Sequence, residues 1–140
     1  MENGVIIKMK HQEIIGHLDF DEIKKNPNHI KELFFERRFF NFILDEKGET
    51  QSSLLLKKKY RDFDAGYLFL AKEDGIVNWN KFQSIFVEYT RIAHKKCNMN
   101  FREISLILIA QDFSFDVKEF IKEYNKMYDY RMPIELKLLK

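Results

Sequence analysis

The densest basic run in the sequence is residues 57–61, Lys-Lys-Lys-Tyr-Arg. Cations beside an aromatic ring are typical of nucleic-acid contact, because the cations pair with phosphates and the ring stacks on a base. In a strand, Lys57, Lys59 and Arg61 would share one face. Lys58 and Tyr60 would then point the other way. We therefore predict that the three alternating cations contact phosphate. The alternative is a solvated strand, or an edge strand whose lysines keep it from pairing with other chains.

A second basic group closes an amphipathic segment further along the chain. It consists of Arg91, His94, Lys95 and Lys96. If it lies on the same surface as the first run, it extends the phosphate-binding region into a groove. The alternative is ordinary charge that complements the negative end of a helix dipole.

The residue types give little support to a metal site or to a nucleophilic cysteine. The single cysteine, Cys97, excludes an internal disulfide and a zinc site built from several thiolates. Lys95 and Lys96 could lower the pKa of its thiol, but the sequence offers no base partner, so a structural cysteine is expected. No nucleotide-binding motif occurs, and the spacing of the histidines does not suit a metal, so neither a metal site nor a cofactor is predicted. The histidines are His11, His17, His29 and His94.

Two phenylalanine pairs, residues 34–35 and 39–40, flank the arginines at positions 37–38. Adjacent residues of a strand or helix face apart, so one member of each pair can stay exposed. Exposed phenylalanine beside arginine is typical of protein–protein interfaces. We predict that Phe35 and Phe39 contact a protein partner or a second copy of the chain. The alternative is a thick core.

Length and composition indicate one globular domain, residues 1–140. The formal net charge of +2 neither favours nor excludes a nucleic acid as a partner, so local clusters decide. No apolar run approaches the ~20 residues of a membrane helix, and residues 1–10 lack the pattern of a signal peptide. Together with the single cysteine, these features predict a cytoplasmic protein with no membrane contact.

Three strand-like patterns occupy the middle of the chain. Residues 39–44 and 53–60 flank a turn cluster with a glycine, and residues 67–71 form a third apolar run. They predict a three-stranded antiparallel meander. Upstream, residues 11–18 suggest one or two helical turns, and Asp19 suits the cap of a second helix.

A helix and a strand–helix–strand unit complete the chain. From Trp79, behind a capping Asn78, apolar residues recur with a helical period. Residues 104–110 are nearly all apolar, as in a strand that is covered on both faces. A helical pattern from Ser114 and an alternating strand at residues 132–139 follow. The prediction is an α/β fold with a mixed (α+β) sheet that ends in a right-handed βαβ unit.

This order of elements resembles the restriction-endonuclease-like nuclease fold, the PD-(D/E)XK class, and most closely its RecB-like and NucS-like branches. Residues 67–72 stand where that family has its E-x-K strand, and residues 82–89 resemble the helix that follows. Residues 104–113, with the helix and strand after them, resemble the family's C-terminal half. The resemblance implies a nuclease-like core that acts on nucleic acid.

That family's chemistry uses a carboxylate on one strand and a carboxylate with a lysine on the next, which hold a divalent ion against the phosphate. Aligning Lys72 with the family's lysine puts Leu70 at the second carboxylate position, and leucine cannot bind Mg²⁺. Asp62 or Asp64 stands near the first acid position. A second alignment pairs Asp64 with Glu88, but it loses the lysine and needs a strand on a helical pattern.

Three functions follow from these residues. The first is a catalytically degenerate nuclease-like domain that binds nucleic acid through the 57–61 run and Lys72, within a nucleic-acid-processing or defence complex. The second is a protein-interaction module, such as an inhibitor, an immunity protein or an assembly subunit. The third is an active nuclease that uses Asp64, Lys72 and Glu88 with Mg²⁺.

Overall fold

The computed structural model describes residues 12–34, 37–47, 53–127 and 134–139. The strands in these residues are β1 (Gln12–Ile15), β2 (Asn41–Lys47), β3 (Ser53–Tyr60), β4 (Phe63–Lys72), β5 (Ile76–Val77), β6 (Ile104–Ala110), β7 (Asp112–Phe113) and β8 (Ile134–Leu139). The helices are α1 (Phe20–Lys25), α2 (Ile30–Leu33), α3 (Trp79–Cys97) and α4 (Phe115–Met127), with a 3₁₀ turn at Pro27–His29.

One mixed sheet organises the molecule, with the strand order β1-β8-β6-β4-β3-β2. The pairs β2–β3 and β3–β4 are antiparallel, which confirms the predicted meander. The pairs β4–β6, β6–β8 and β8–β1 are parallel. Helix α3 connects β4 to β6 and helix α4 connects β6 to β8, as parallel pairing requires. The predicted mixed α+β architecture is confirmed, and the right hand of the last crossover stays a prediction.

Helices cover both faces of this sheet. On the face that we call the α3/α4 face, Phe69 packs in one core with Tyr89 of α3 and Ile121 of α4. On the opposite face, the α1/α2 face, Leu70 packs with Ile23 of α1 in a second core. Every residue of β6 is buried, as its continuous apolar sequence predicts for a strand covered on both sides.

Side-chain caps fix where the helices begin. Asp19 Oδ1 accepts a hydrogen bond of 2.9 Å from the backbone N–H of Asp21, and Asn78 Oδ1 accepts one of 3.0 Å from that of Lys81. Both caps were predicted from the sequence. Asn98 adopts the left-handed conformation, with φ of 54°, where α3 ends. None of the helices in the described part of the chain combines the length and the apolarity that a membrane crossing requires.

Two segments differ from the predictions. Residues 12–15 were expected to be helical, and they form β1 instead, because their backbone pairs with β8 in parallel register from Gln12 with Leu136. Such long-range pairing overrides local helix propensity. The short strands β5 and β7 form a separate parallel pair, and strands of this length carry no recognisable periodicity.

The edge strand β2 is shielded by the segment around α2. Asn28 Oδ1 accepts a hydrogen bond of 2.8 Å from the backbone N–H of Phe42. Lys31 Nζ donates one of 2.7 Å to Asn41 Oδ1. The Asn28 side chain thus occupies a backbone N–H that another strand would otherwise pair with, and Lys31 places a charge beside the edge.

Candidate nucleic-acid interface

The basic run lies in the second half of β3, which is an inner strand between β2 and β4. The edge-strand form of the alternative is therefore wrong, whereas a solvated strand stays a prediction. Leu55 packs in the core of the α3/α4 face, so Lys57 and Lys59 point to that same face. Both lysines are half-buried, and Lys57 stands opposite Tyr67 of β4. The predicted shared face of these two lysines is confirmed.

The two lysines differ in their partners. Lys59 Nζ lies 3.2 Å from Asp64 Oδ1, the residue opposite it on β4. The Asp64 side chain is 64% exposed, so water screens this ion pair. Within the described part of the chain, the amine of Lys57 forms no ion pair or hydrogen bond. Lys57 therefore offers a cation that an incoming anion can neutralise.

Arg61 lies in the β3–β4 turn and not in the strand. Its φ is +56°, and its guanidinium carbon lies 5.6 Å from the ring centroid of Tyr60. The Arg61 guanidinium therefore lies over the ring of Tyr60. The prediction that Arg61 shares a face with Lys57 and Lys59 is wrong. The reason is geometric, because the alternation of faces stops where the turn begins.

Exposed aromatic rings surround this turn. Phe39 is 81% exposed, Phe63 is 72% exposed and Tyr60 is 45% exposed. Tyr60 is paired with Phe63 across the turn, and its ring contacts Phe40 edge-on at a centroid distance of 6.5 Å. Phe39 is thus on the surface, as predicted, whereas Phe35 lies outside the described residues. We call Phe39, Tyr60 and Phe63 the aromatic row.

The second basic group lies on the same face of the sheet as Lys57. Lys96 Nζ is 3.1 Å from Asp45 Oδ2, an ion pair whose angles do not meet hydrogen-bond geometry. Asp45 and Lys96 both act on Tyr67. Burial, followed by the Asp45 carboxylate, raises the pKa of Tyr67, whereas Lys96 lowers it. The end of α3 and the middle of β3 therefore face one region, as the predicted groove requires. The remaining members of the group are exposed, namely Arg91, His94 and Lys95.

Lys72 does not join the other predicted phosphate ligands. It ends β4, five residues beyond the Tyr67 that faces Lys57, or about 17 Å along a strand. It also lies on the α1/α2 side, where its Nζ donates a hydrogen bond of 3.3 Å to the backbone carbonyl of Leu18. There it lines a shallow depression of about 470 Å³ with His17 and Asp19.

The residues of the nuclease alternatives do not converge. Asp64 and Lys72 lie near opposite ends of β4, about 26 Å apart along the strand. Glu88 belongs to α3, so the alignment that needs a strand at residues 87–90 is wrong. Leu70, at the position of the missing carboxylate, is fully buried. Across residues 12–34, 37–47, 53–127 and 134–139, no three His, Cys, Asp or Glu side chains are grouped so that they could hold a metal ion.

A buried ionic cluster on the α1/α2 face was not predicted. Arg37 donates two hydrogen bonds to Glu135, from Nη2 to Oε1 at 2.8 Å and from Nη1 to Oε2 at 3.3 Å. Lys137 Nζ lies 3.7 Å from Glu135 Oε2. Burial, and then the Arg37 guanidinium, lower the pKa of Lys58 to about 8, and Glu135 partly offsets them. The alternation in β8 separates Glu135 from its apolar neighbours, but no local pattern connects it to Arg37.

Cys97 is a buried core residue at the end of α3. Burial, and then the carboxylate of Glu103, raise the pKa of its thiol to about 11. The suggested lowering by Lys95 and Lys96 is wrong, because burial dominates. The structural role predicted for this cysteine agrees with its environment.

The described residues thus place exposed cations and aromatic rings around β3 and the β3–β4 turn, and one buried ionic cluster on the α1/α2 face. Lys57 and Lys59 lie on the α3/α4 face of β3. Tyr60, its strand partner Phe63 and the Arg61 guanidinium lie on the other side of the same sheet end. Comparison of the chain with known protein families, curated proteins and solved structures finds no match.

Proposed function

We propose that this chain is a nucleic-acid-binding domain with a nuclease-like fold that does not cleave its ligand. The observation that carries the proposal is the surface at β3, where Lys57 and Lys59 share a face and Arg61 caps the adjoining turn. We further propose that the domain works within a nucleic-acid-processing or defence complex.

Charge supports a phosphate ligand at this surface. Lys57 has no carboxylate partner in the described residues, and the only one described for Lys59 is the exposed Asp64. Exposed ion pairs contribute little, about 0 to 1 kcal/mol, so a phosphate can compete with Asp64 for the lysine. The exposed Arg91 and Lys95 near the end of α3 add positive charge on the same side of the sheet.

The order of elements supports the nuclease-like fold. The meander β2–β3–β4 is followed by α3, a parallel strand, α4 and a further parallel strand. This is the order on which the resemblance to the restriction-endonuclease-like family rests. Lack of cleavage is proposed because Leu70 is apolar and buried, Lys72 donates to a backbone carbonyl, and Asp64 holds Lys59.

The binding proposal is tested by fluorescence anisotropy with labelled single-stranded and duplex oligonucleotides. The Lys57→Gln/Lys59→Gln variant should bind about 10-fold more weakly than the native chain and should lower the salt slope by about 0.7 to 0.9 for each lysine. Its control is Lys122→Gln/Lys126→Gln, which removes the same charge from exposed positions on α4. Absence of binding at low salt, or equal losses in the two variants, would refute the proposal.

Cleavage is tested separately with supercoiled plasmid in Mg²⁺ or Mn²⁺. We expect no nicking by the native chain. Nicking that the Asp64→Ala variant abolishes would instead establish the active nuclease alternative.

A second candidate, a protein-interaction module, is favoured by the exposure of Phe39 and Phe63. It predicts a homodimer or a partner complex that buries these rings. Sedimentation velocity of the native chain and of Phe39→Ser tests the homodimer. A dimer that Phe39→Ser dissociates, together with no oligonucleotide binding, would favour this candidate over the first.

A further inference from the structure

We infer that the lysine-bearing surface of β3 recognises the phosphate backbone of nucleic acid and not its bases, with the Tyr67 hydroxyl as a further phosphate ligand beside Lys57. The inference rests on the proposed function and specifies which part of the ligand is bound. It starts from the position of the exposed rings, because proteins that bind the bases of single strands do so largely by stacking.

Two rings of the aromatic row lie on the other side of the sheet from the lysines. The Tyr60 ring meets Phe40 edge-on at 6.5 Å, and Phe40 packs against the core of the α1/α2 face. Phe63 is paired with Tyr60 across the turn and therefore shares its side. Lys57 and Lys59 point to the α3/α4 face. A strand whose phosphates lie against these lysines is therefore separated from both rings by the end of the sheet.

Tyr67 is the residue of β4 that stands directly opposite Lys57 on the α3/α4 face. Because the two are a cross-strand pair, their Cβ atoms are about 4.5 to 5.5 Å apart. Both side chains are half-buried. Neither the Lys57 amine nor the Tyr67 hydroxyl forms a hydrogen bond with any residue that the structure describes. An ammonium only donates hydrogen bonds and an ionised phosphate oxygen only accepts them, so a phosphate suits these two neighbouring donors.

Two carboxylates on this face are each held by a lysine other than Lys57. Asp64 Oδ1 lies 3.2 Å from Lys59 Nζ, and Asp45 Oδ2 lies 3.1 Å from Lys96 Nζ. Together with Lys57, these side chains place three ammonium groups beside two carboxylates, and the uncompensated charge lies at Lys57. Base edges present donors as well as acceptors, and a carboxylate engaged by a lysine is less available to those donors. The charge balance therefore favours phosphates, which repeat along the whole strand.

The inference is tested by fluorescence anisotropy with oligo(dT) and with a strand of abasic residues of the same length. The native chain should bind both probes with affinities less than about 3-fold apart, whereas stacking of even one base would give about 5-fold or more. Tyr67→Phe removes the hydroxyl and keeps the ring, and it should weaken the binding of both probes about 3- to 10-fold. The salt slope should not change, because a neutral donor displaces no counterion. Tyr60→Phe removes the same group on the other side of the sheet and should bind both probes like the native chain.

The outcomes separate this inference from the proposed function. If Lys57→Gln/Lys59→Gln weakens binding while the native chain binds oligo(dT) about 3-fold or more tightly than the abasic strand, the proposed function stands and backbone recognition is refuted. Equal affinities of Tyr67→Phe and Tyr60→Phe refute the role of Tyr67. If neither probe binds at low salt, the inference and the proposed function both fall. Because the Tyr67 hydroxyl has no hydrogen-bond partner in the described part of the chain, Tyr67→Phe should keep the native thermal stability, which circular dichroism checks.

Discussion

Arg37 and Glu135 are joined by two hydrogen bonds, 2.8 Å and 3.3 Å long, although they lie far apart in the described chain. Both side chains are largely buried, at 11% and 10% exposure. The pair links the segment before β2 to the last strand, β8. Lys137 adds a second cation 3.7 Å from the same carboxylate. Glu135 thus interacts with two buried cations, Arg37 and Lys137. Removing Glu135 and removing Arg37 should therefore change the free energy of unfolding by different amounts.

The first prediction follows from this asymmetry. Glu135→Gln leaves Arg37 without the carboxylate that it binds, and breaking a buried ion pair in this way costs about 3 to 5 kcal/mol of the free energy of unfolding. Arg37→Met should cost less, because Lys137 still neutralises Glu135. Urea denaturation of both variants measures the difference, with Arg38→Met at an exposed position as control. An equal or larger loss for Arg37→Met would contradict the shared role of Glu135.

The second prediction concerns pH. Burial lowers the pKa of Lys58 to about 8 in the folded chain, from the ordinary lysine value of 10.5. Between these values the unfolded chain binds more protons than the folded one, so Lys58 makes the folded chain more stable as pH rises. Relative to Lys58→Met, the native chain should gain about 1 kcal/mol of unfolding free energy between pH 8 and pH 9.

Chemical denaturation at several pH values measures this difference. Lys59→Met, at a half-buried position on the other face, is the control for the loss of a lysine from β3. A native chain that loses stability relative to Lys58→Met over this interval would contradict a lowered pKa of Lys58.

The third prediction concerns Gly66 in β4. Its φ is +116°, and a Cβ atom at this position would overlap the backbone carbonyl of Glu103. That carbonyl also accepts a hydrogen bond of 2.7 Å from the N–H of Tyr67. Gly66→Ala should therefore destabilise the chain by more than about 1 kcal/mol. A Cβ atom at Gly16 would meet no atom within 4 Å, so Gly16→Ala should shift the melting temperature little; similar shifts for both would refute the steric argument.

The fourth prediction concerns Asn125 of α4, which is bonded to both backbone groups of Ile134. Its Oδ1 accepts a hydrogen bond of 2.9 Å from the Ile134 N–H, and its Nδ2 donates one of 2.8 Å to the Ile134 carbonyl. Asn125→Leu leaves two buried backbone groups unsatisfied and should cost about 2 to 4 kcal/mol. Thermal unfolding measures the loss, with Asn80→Leu on the exposed side of α3 as control. Equal stability of the two variants would contradict this anchoring role.

The sequence predicted those elements whose identity depends on local patterns. Helix α3 has a capping Asn78 and a long apolar period, and β6 is an uninterrupted apolar run. Strand β1 could not be predicted in this way, because its conformation depends on pairing with β8 at the other end of the chain. Strands β5 and β7 are too short for any period to appear.

The candidate site, too, could be predicted from the sequence only where it depends on a local pattern. The shared face of Lys57 and Lys59 follows from strand alternation alone, and the structure agrees. Arg61 departs from that face because a turn interrupts the alternation, and Lys72 is far away because it lies at the other end of β4. The link between Arg37 and Glu135 arises only from the folded chain, since no spacing in the sequence encodes it.

The parallel pairing of β1 with β8 has a consequence for synthesis. Ribosomes make β1 before any other described strand and β8 after all of them, yet Gln12 pairs with Leu136. Throughout that interval, the backbone groups of β1 that will bond to β8 must be satisfied by water or by another chain. Nascent chains that stop before Ile134 can assemble the meander, α3 and β6. They would still carry a first strand whose partner has not been made.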